Sequence, residues 1–229
     1  MANTIKEVVV QNHKTLPNQV WSPYSGLNVL TSNNGGGKTT LLEYIYAKYN
    51  RTHNIKALLT SIHNFKNYIE IKHYAKKNMR PPETRQFEEE YKTMLNLQAD
   101  EALLKDCNAF LKKLKLKISL NEAVVKSGVL YFITNNGVGL SLTDISTGEK
   151  TAFILWLIKN AQKKPDVLIL DEFDASMDDE IIWEFYKILK EISEETQIFI
   201  ATHRKECLAD DLGWSQISNN GKIGNAKLL

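Results

Sequence analysis

Short apolar runs and helical periodicity alternate at the two ends of this chain. The runs Ile5 to Val10, Leu27 to Thr31, Val167 to Leu170 and Ile198 to Ala201 predict strands. The last two are continuous and apolar, which is typical of parallel strands covered on both faces. Between them, apolar residues recur with the helical period over 181–192, which predicts an amphipathic helix. Strands that alternate with helices in this order predict an α/β fold.

The middle of the chain lacks the regular alternation of predicted strands and helices. After a predicted helix at Thr39 to Tyr49, the alternation of strands and helices returns only near residue 140. We therefore expect a single domain over 1–229 with an inserted, small helical lobe at about 60–135. Near the end of this lobe, lysines alternate with apolar residues in a pattern that predicts a strand with its lysines on one face. These lysines are Lys113, Lys115 and Lys117.

Composition narrows the class of protein without identifying it. The 229 residues carry a formal net charge of +2 and two cysteines, so neither a polyanionic partner nor a disulfide framework is indicated. Lys6 and Glu7 interrupt the first apolar run, and no apolar stretch approaches the roughly 18 residues of a membrane span. We expect a soluble, cytoplasmic protein without membrane insertion.

The segment between the second strand and the first helix has the composition of a phosphate-binding loop. It reads Ser32-Asn33-Asn34-Gly35-Gly36-Gly37-Lys38-Thr39 and is followed by Thr40. Glycines let backbone N–H groups turn towards an anion, and the helix that follows directs its positive dipole end to the same point. In such a loop Lys38 reaches the β- and γ-phosphates and the Thr39 hydroxyl binds Mg²⁺. Ser32 stands where the usual pattern has its first glycine.

Two acidic residues end the apolar run at 167–170. Asp171 and Glu172 lie where a buried parallel strand would emerge at its carboxyl end, the edge at which open α/β sheets bind ligands. Because consecutive strand residues point in opposite directions, we predict that Asp171 faces Mg²⁺ and Glu172 faces the attacking water. Glu172 is then the general base or the group that orients the water.

A second arrangement suited to phosphate precedes the apolar helix Ala152 to Ile158. Ser146 and Gly148 combine a hydroxyl and backbone N–H groups with a predicted helix N-terminus. Ser146 followed three residues later by Glu149 also fits a capping box, which is a structural device. The residues of this segment leave both interpretations open.

In their order along the chain these motifs resemble those of the ABC ATPase superfamily. The segments that resemble its Walker A loop, signature, Walker B strand, D-loop and switch histidine are 32–40, 145–149, 167–172, 176–178 and His203. Leu27 to Leu30 and the Ser-Thr-Gly-Glu-Lys form of the signature are similar to SMC and RecF heads.

The resemblance implies a P-loop NTPase fold of the ABC-ATPase type, with a mixed central sheet, flanking helices and an antiparallel β part. It implies binding of ATP and Mg²⁺, with the metal held by Thr39 and Asp171, and Mg-dependent hydrolysis through Glu172, His203 and Asp178. The nucleotide-binding residues that it implies are Asn34, Gly35, Gly36, Gly37, Lys38, Thr39, Thr40, Ser146, Gly148 and Glu149.

The resemblance also implies a head-to-tail homodimer that forms on ATP. In this dimer Ser146 and Gly148 of one copy contact the γ-phosphate that the other copy binds, and Asp178 links the two sites. ATP would hold the copies together because only the triphosphate offers these contacts, and hydrolysis would release them.

Three functions remain open at this point. The first is an SMC- or RecF-like ATPase that acts on DNA or drives a partner effector protein in genome maintenance or antiviral defence. The basic residues proposed to contact DNA phosphates are Lys112, Lys113, Lys115, Lys117, Lys72, Lys76, Lys77 and Arg80. The second is the nucleotide-binding subunit of a membrane transporter, with Tyr24 as a candidate adenine-stacking residue. The third is an ATP-gated regulatory dimer with little turnover.

Overall fold

The computed structural model describes residues 3–53, 55–58, 100–113, 120–126, 129–141, 144–161, 164–172, 174, 177, 179–204, 213–217, 221–224 and 227–228. Several residues singled out in the sequence lie outside this part of the chain. They are Asp178, Lys72, Lys76, Lys77, Arg80, Lys115 and Lys117.

Fifteen elements follow one another along the described residues. They are β1 (Val8–Val10), β2 (Gln19–Trp21), β3 (Leu27–Thr31), α1 (Lys38–Tyr49), β4 (Ile55–Leu58), α2 (Glu101–Lys113), β5 (Leu120–Lys126), β6 (Val129–Thr134), β7 (Gly139–Leu140), α3 (Thr147–Lys159), β8 (Val167–Asp171), α4 (Asp179–Ser193), β9 (Gln197–Thr202), β10 (Gly213–Gln216) and β11 (Lys227–Leu228).

The chain divides into two compact units. The first comprises Met1–Asn64, Pro165–Ala175 and Leu189–Leu229, and the second comprises Phe65–Lys164 and Ser176–Ile188. The expectation of one domain with a lobe at about 60–135 stays a prediction. The described residues of that range form α2, β5 and β6, so they include antiparallel strands as well as a helix.

The first unit is built on a five-stranded sheet in the order β10-β3-β9-β8-β4, and every neighbouring pair in it is parallel. A separate three-stranded sheet in the order β1-β2-β11 supplies antiparallel pairs. The predicted α/β fold with parallel and antiparallel parts is therefore confirmed. Within the described residues the antiparallel pairing lies outside the central sheet.

Helix α1 packs its apolar side chains into the core of the first unit. Leu41, Leu42 and Ile45 are fully buried, in one hydrophobic cluster with Ile169 of β8 and Phe199 of β9. Burial of side chains of this size stabilises the fold by about 1.5–3 kcal/mol each. The packing holds the first turn of α1 beside the carboxyl ends of the central strands.

Two predictions of local structure need correction. The first strand covers only Val8–Val10, because the backbone N–H and carbonyl of Ile5 bond to the Gln197 side chain at 2.8 and 3.0 Å instead of to a strand. Lys113, which was predicted on a strand, is the last residue of α2.

The second unit has its own layered core. Its sheet has the order β5-β6-β7, and the Asn108 side chain of α2 bonds both backbone groups of Ala123 on β5, at 2.7 and 3.0 Å. On α3, the ring of Phe153 contacts the rings of Phe132 and Trp156. The Asn108 hydrogen bonds thus fix α2 to β5, and aromatic packing fixes α3 to β6.

Candidate nucleotide-binding site

The loop between β3 and α1 takes a shape that requires glycine at two positions. Gly35 and Gly37 have φ angles of +77° and +90°, a region that L side chains rarely adopt. Gly37 is the N-cap of α1, and its carbonyl accepts the first helical bond from Leu41 at 2.9 Å. The unpaired N–H groups of the first turn of α1 therefore begin directly at the loop.

Position 36 has no room for a side chain, because Ser32 occupies the space beside it. A Cβ at position 36 would lie 2.4 Å from Ser32 Oγ and 2.6 Å from Ser32 Cβ. Ser32 is buried, and its hydroxyl donates to the Asn33 carbonyl at 2.8 Å. The departure from the usual first glycine is thus accommodated inside the loop by the missing side chain at position 36.

The Lys38 ammonium lies between the loop and the end of β9. Its Nζ is 3.3 Å from the Ser32 carbonyl, 3.2 Å from Ser32 Oγ and 3.2 Å from His203 Nε2. The residue is only 5% exposed. Burial lowers the pKa of Lys38, and the charges of Glu172 and Asp171 partly oppose that effect. An anion brought to this point would compensate the buried positive charge.

Asp171 presents a buried carboxylate at the carboxyl end of β8. It is 2% exposed, and burial raises its pKa, while the nearby Thr39 hydroxyl lowers it. Neither carboxylate oxygen has a partner at full hydrogen-bond geometry. An unpartnered buried carboxylate beside a hydroxyl fits a hard divalent cation such as Mg²⁺, which prefers oxygen ligands.

Glu172 directly follows β8 and has an exposed side chain. Its φ of +49° is unusual for a residue other than glycine, and its backbone N–H bonds to the Ala201 carbonyl at 2.9 Å. The side chain is 44% exposed, and its Oε1 lies 3.0 Å from His203 Nε2. One imidazole therefore lies within hydrogen-bond distance of both Lys38 and Glu172.

A buried polar contact beside this cluster was not predicted. The Thr202 hydroxyl donates to Asp174 Oδ2 at 2.5 Å, and it accepts from the Arg204 backbone N–H at 2.9 Å. Burial raises the pKa of Asp174, while the Thr202 bond, a bond from its own backbone and the charge of Arg204 oppose the rise. The density of acids in 171–180 was the available signal in the sequence.

In the second unit, Ser146 is the N-cap of α3. Its hydroxyl accepts from the Glu149 backbone N–H at 3.4 Å, and Glu149 Oε2 accepts from the Ser146 N–H at 2.6 Å, which completes a capping box. Ser146 is exposed, and a Cβ on Gly148 would meet no atom within 4 Å. Glu149 is buried, and its side chain bonds the N-cap backbone. A contact between Glu149 and nucleotide stays a prediction.

The structure brings together most of the residues predicted in the first unit. Lys38, Thr39, Asp171, Glu172 and His203 form one cluster at the ends of β3, β8 and β9. Of the remaining loop residues, the exposed pair Asn34 and Gly35 lies at the tip and Thr40 lies in the first turn of α1.

Tyr24 lies at the opposite end of the sheet. Its backbone N–H and carbonyl bond to the side chain of Asn28, near the amino end of β3, at 2.7 and 2.8 Å. The phosphate loop leaves the carboxyl end of the same strand, about 13 Å further along at 3.3 Å per residue. The suggestion that Tyr24 stacks on adenine stays a prediction.

We predict that Ser32 and Gly36 are energetically coupled. Gly36→Ala alone should lower the free energy of unfolding by about 1–3 kcal/mol, because its Cβ overlaps the serine side chain. The double variant with Ser32→Gly and Gly36→Ala should regain most of this free energy, because the nearest remaining atom to the new Cβ is the Asn33 carbonyl oxygen at 3.2 Å. Urea unfolding of the four chains of this double-mutant cycle measures the coupling energy.

Gly148→Ala provides the matched control, because its new methyl group meets open space. Additive effects of Ser32→Gly and Gly36→Ala would contradict the prediction.

No helix in the described part of the chain is both long and apolar enough to cross a membrane. In solved structures, the fold is similar to an Smc head bound to the C-terminal winged-helix domain of ScpA, with a TM-score of 0.62, 16% identity and coverage of 99% of this chain and 98% of that one. It is also similar to the SMC head domain from Thermotoga maritima, with a TM-score of 0.52, 16% identity and coverage of 93% and 94%. An ATP-binding cassette of an ABC transporter gives 0.55 at 13% identity, covering 98% of this chain and 89% of that one.

Sequence comparison gives a narrower result. The chromosome partition protein Smc of Chlorobaculum tepidum is 39% identical over 72 residues, which are 31% of this chain and 6% of that protein. This chain thus aligns with only a small part of the length of that relative. Residues 4–222 match the family described as the RecF/RecN/SMC N terminal domain. The chain therefore belongs to the RecF/RecN/SMC N-terminal domain family, whose heads share their fold with ABC ATPases.

Proposed function

We propose that this chain is a cytoplasmic Mg-dependent ATPase that works as a head-to-tail dimer. The observation that carries the proposal is the convergence of Lys38, His203 and Glu172. His203 Nε2 lies 3.2 Å from Lys38 Nζ and 3.0 Å from Glu172 Oε1. The buried Asp171 directly precedes Glu172. Hydrolysis of a terminal phosphate uses a cation that binds the phosphates and a group that orients or deprotonates the attacking water, and Lys38 and Glu172 are suited to these two roles.

Binding of the triphosphate would use the loop and the start of α1. Free backbone N–H groups of the loop and of the first turn of α1 would bind the anion, and Lys38 would exchange its contacts with Ser32 and His203 for phosphate oxygens. Thr39 and Asp171 would hold Mg²⁺, which neutralises charge on the β- and γ-phosphates. Among the described residues no group of three or more His, Cys, Asp or Glu side chains would hold a metal. Phosphate oxygens and water would supply the remaining ligands.

Glu172 would accept the proton of the attacking water. Its exposed side chain reaches solvent, whereas the neighbouring Asp171 is buried and directed elsewhere. His203 orients the carboxylate through the 3.0 Å contact and offers its ring to the γ-phosphate side of the loop. Attack of the water oxygen on the γ-phosphorus would break the bond between that phosphorus and the oxygen bridging it to the β-phosphate, release ADP and inorganic phosphate, and leave one water proton on Glu172.

The second half of each site would come from another copy. Ser146 is exposed at the N-terminus of α3 and Gly148 faces open space, so this helix end is accessible to a γ-phosphate bound by a partner. Asp178 would connect the two sites. Contacts made only to the triphosphate favour the closed dimer, and their loss on hydrolysis releases it.

Glu172→Gln tests turnover and assembly together. The amide keeps the shape of the side chain but is a poor proton acceptor, so turnover should fall by about 10²- to 10⁴-fold while Mg·ATP still binds. Light scattering should then find a stable dimer with ATP and a 26.2 kDa monomer without it. Lys38→Ala, which loses phosphate binding, is the control that stays monomeric. A monomer in both conditions would oppose the dimer, and wild-type turnover no faster than that of Glu172→Gln would support a regulatory dimer instead.

Mixing two inactive variants tests whether each site is shared. Lys38→Ala keeps an intact signature and Ser146→Arg keeps an intact loop, so a mixed dimer contains one complete site and should recover part of the wild-type ATPase rate. Lys38→Ala mixed with Glu172→Gln should stay inactive, because both defects lie in the same half of a site. Absence of recovery in the first mixture would oppose the shared site.

We further propose that the ATP cycle acts on DNA or on a partner effector protein in genome maintenance or antiviral defence. Membership of the SMC family supports this proposal, and one solved relative is bound to a winged-helix domain of ScpA. Lys112 and Lys113 are both exposed at the end of α2 and are suited to sequence-independent phosphate contacts. Likeness to a transporter cassette at 13% identity concerns the fold alone.

Charge reversal on α2 tests the DNA contact. Duplex DNA at low salt should raise ATP turnover, and Lys112→Glu with Lys113→Glu should abolish that increase while the rate without DNA stays unchanged. The matched control is Lys6→Glu with Lys187→Glu, which alters net charge equally at two exposed positions elsewhere. ATP turnover that is indifferent to DNA at low salt would contradict the DNA proposal and leave the effector protein as the target.

A further inference from the structure

A buried polar contact joins the segments that follow β8 and β9. Thr202 is the last residue of β9 and Asp174 lies three residues beyond Asp171, the end of β8. The hydroxyl of Thr202 donates to Asp174 Oδ2 at 2.5 Å, and the two residues are 0% and 2% exposed. The contact is therefore shielded from water, and a hydrogen bond to a carboxylate is strong in such surroundings.

The contact lies beside the two residues proposed to act on water. Thr202 directly precedes His203, and Asp174 follows Glu172 by two positions. A second link, from the Glu172 backbone N–H to the Ala201 carbonyl at 2.9 Å, ties the same two segments one step earlier. Both links lie directly beside the 3.0 Å contact between Glu172 Oε1 and His203 Nε2.

Thr202 is also fixed from its other side. Its hydroxyl oxygen accepts from the Arg204 backbone N–H at 2.9 Å, so the turn that carries His203 is closed over the threonine. Burying a carboxylate costs free energy unless polar partners compensate it. The partners here are the Thr202 hydroxyl, a backbone group of Asp174 itself and the charge of Arg204.

We propose that Asp174 and Thr202 are a positioning pair that holds His203 at Glu172 and so sets the rate of hydrolysis, without contributing to ATP binding. The proposal rests on the proposed ATPase function. Neither residue touches the phosphate loop in any contact described above. Their effect on the reaction passes through the placement of the imidazole and the carboxylate.

The opposite end of β9 offers a matched control. Thr196, directly before the strand, is 1% exposed and donates its hydroxyl to the Pro165 carbonyl at 3.0 Å. Thr196→Val and Thr202→Val therefore remove the same buried hydroxyl from the two ends of one strand. Only the second lies at the proposed site.

The kinetic test compares four variants with the wild-type protein. Thr202→Val and Asp174→Ala should lower kcat by about 10- to 100-fold, the size expected for a misplaced catalytic group, with KM changed less than about twofold. Thr202→Ser keeps the hydroxyl and should retain most of the wild-type kcat. Thr196→Val should retain kcat even where urea unfolding shows a comparable loss of stability. Equal losses of kcat in Thr202→Val and Thr196→Val, or in Thr202→Val and Thr202→Ser, would overturn the proposal.

A spectroscopic test does not depend on turnover. NMR of the imidazole nitrogens, assigned with His203→Gln among the five histidines, reports the contact of Nε2 with Glu172. Thr202→Val should move the His203 signal in the direction that Glu172→Gln moves it, and Thr196→Val should not. An unmoved signal in Thr202→Val overturns the pair. A moved signal in a protein without ATPase activity leaves the positioning intact and rejects the proposed ATPase function instead.

Discussion

Three adjacent parallel strands end at the same level, and the site depends on that alignment. The register places Thr31 of β3 opposite Thr202 of β9, and Ala201 opposite Asp171 of β8. The loop, the imidazole and the carboxylates therefore leave one edge of the sheet together, although 32–39 and 171–203 are far apart in the chain. A slip of one residue in either pair would reverse the faces on which these strands place their side chains.

Burial gives the site its electrostatic character. Lys38 and Asp171 are almost inaccessible to water. Desolvation lowers the pKa of Lys38 and raises the pKa of Asp171, so it favours the neutral form of each. The two opposite charges consequently stabilise each other, or are stabilised by an ion that enters the site, while Glu172 favours the charge of Lys38 and opposes that of Asp171. A pocket prepared in this way binds charged ligands with little reorganisation of its own side chains.

The sequence was most informative where local rules decide the structure. The strand Leu27–Thr31 was predicted with its exact bounds, and the helix after the loop was placed to within one residue. Apolar continuity and glycine placement are sufficient for such elements, because both act through near neighbours. The same rules also brought Lys38, Asp171 and Glu172 to one edge of a sheet.

Predictions failed where distant residues decide. The apolar pattern predicts Ile5 within a strand, but its backbone bonds to the side chain of Gln197, which lies 192 positions away. The error at Lys113 was local instead: the lysine follows a period of two, yet it ends a helix whose preceding residues keep the helical pattern. The contact between Asp174 and Thr202 depends on the register of β8 and β9, which no local pattern specifies.

The left-handed backbone at Glu172 carries an evolutionary consequence. For a residue with a side chain this conformation costs roughly 1–2 kcal/mol, which glycine would not incur. Selection for stability alone would drift towards glycine or asparagine at this position. On the proposed function, selection for the carboxylate would keep glutamate at this position against that drift.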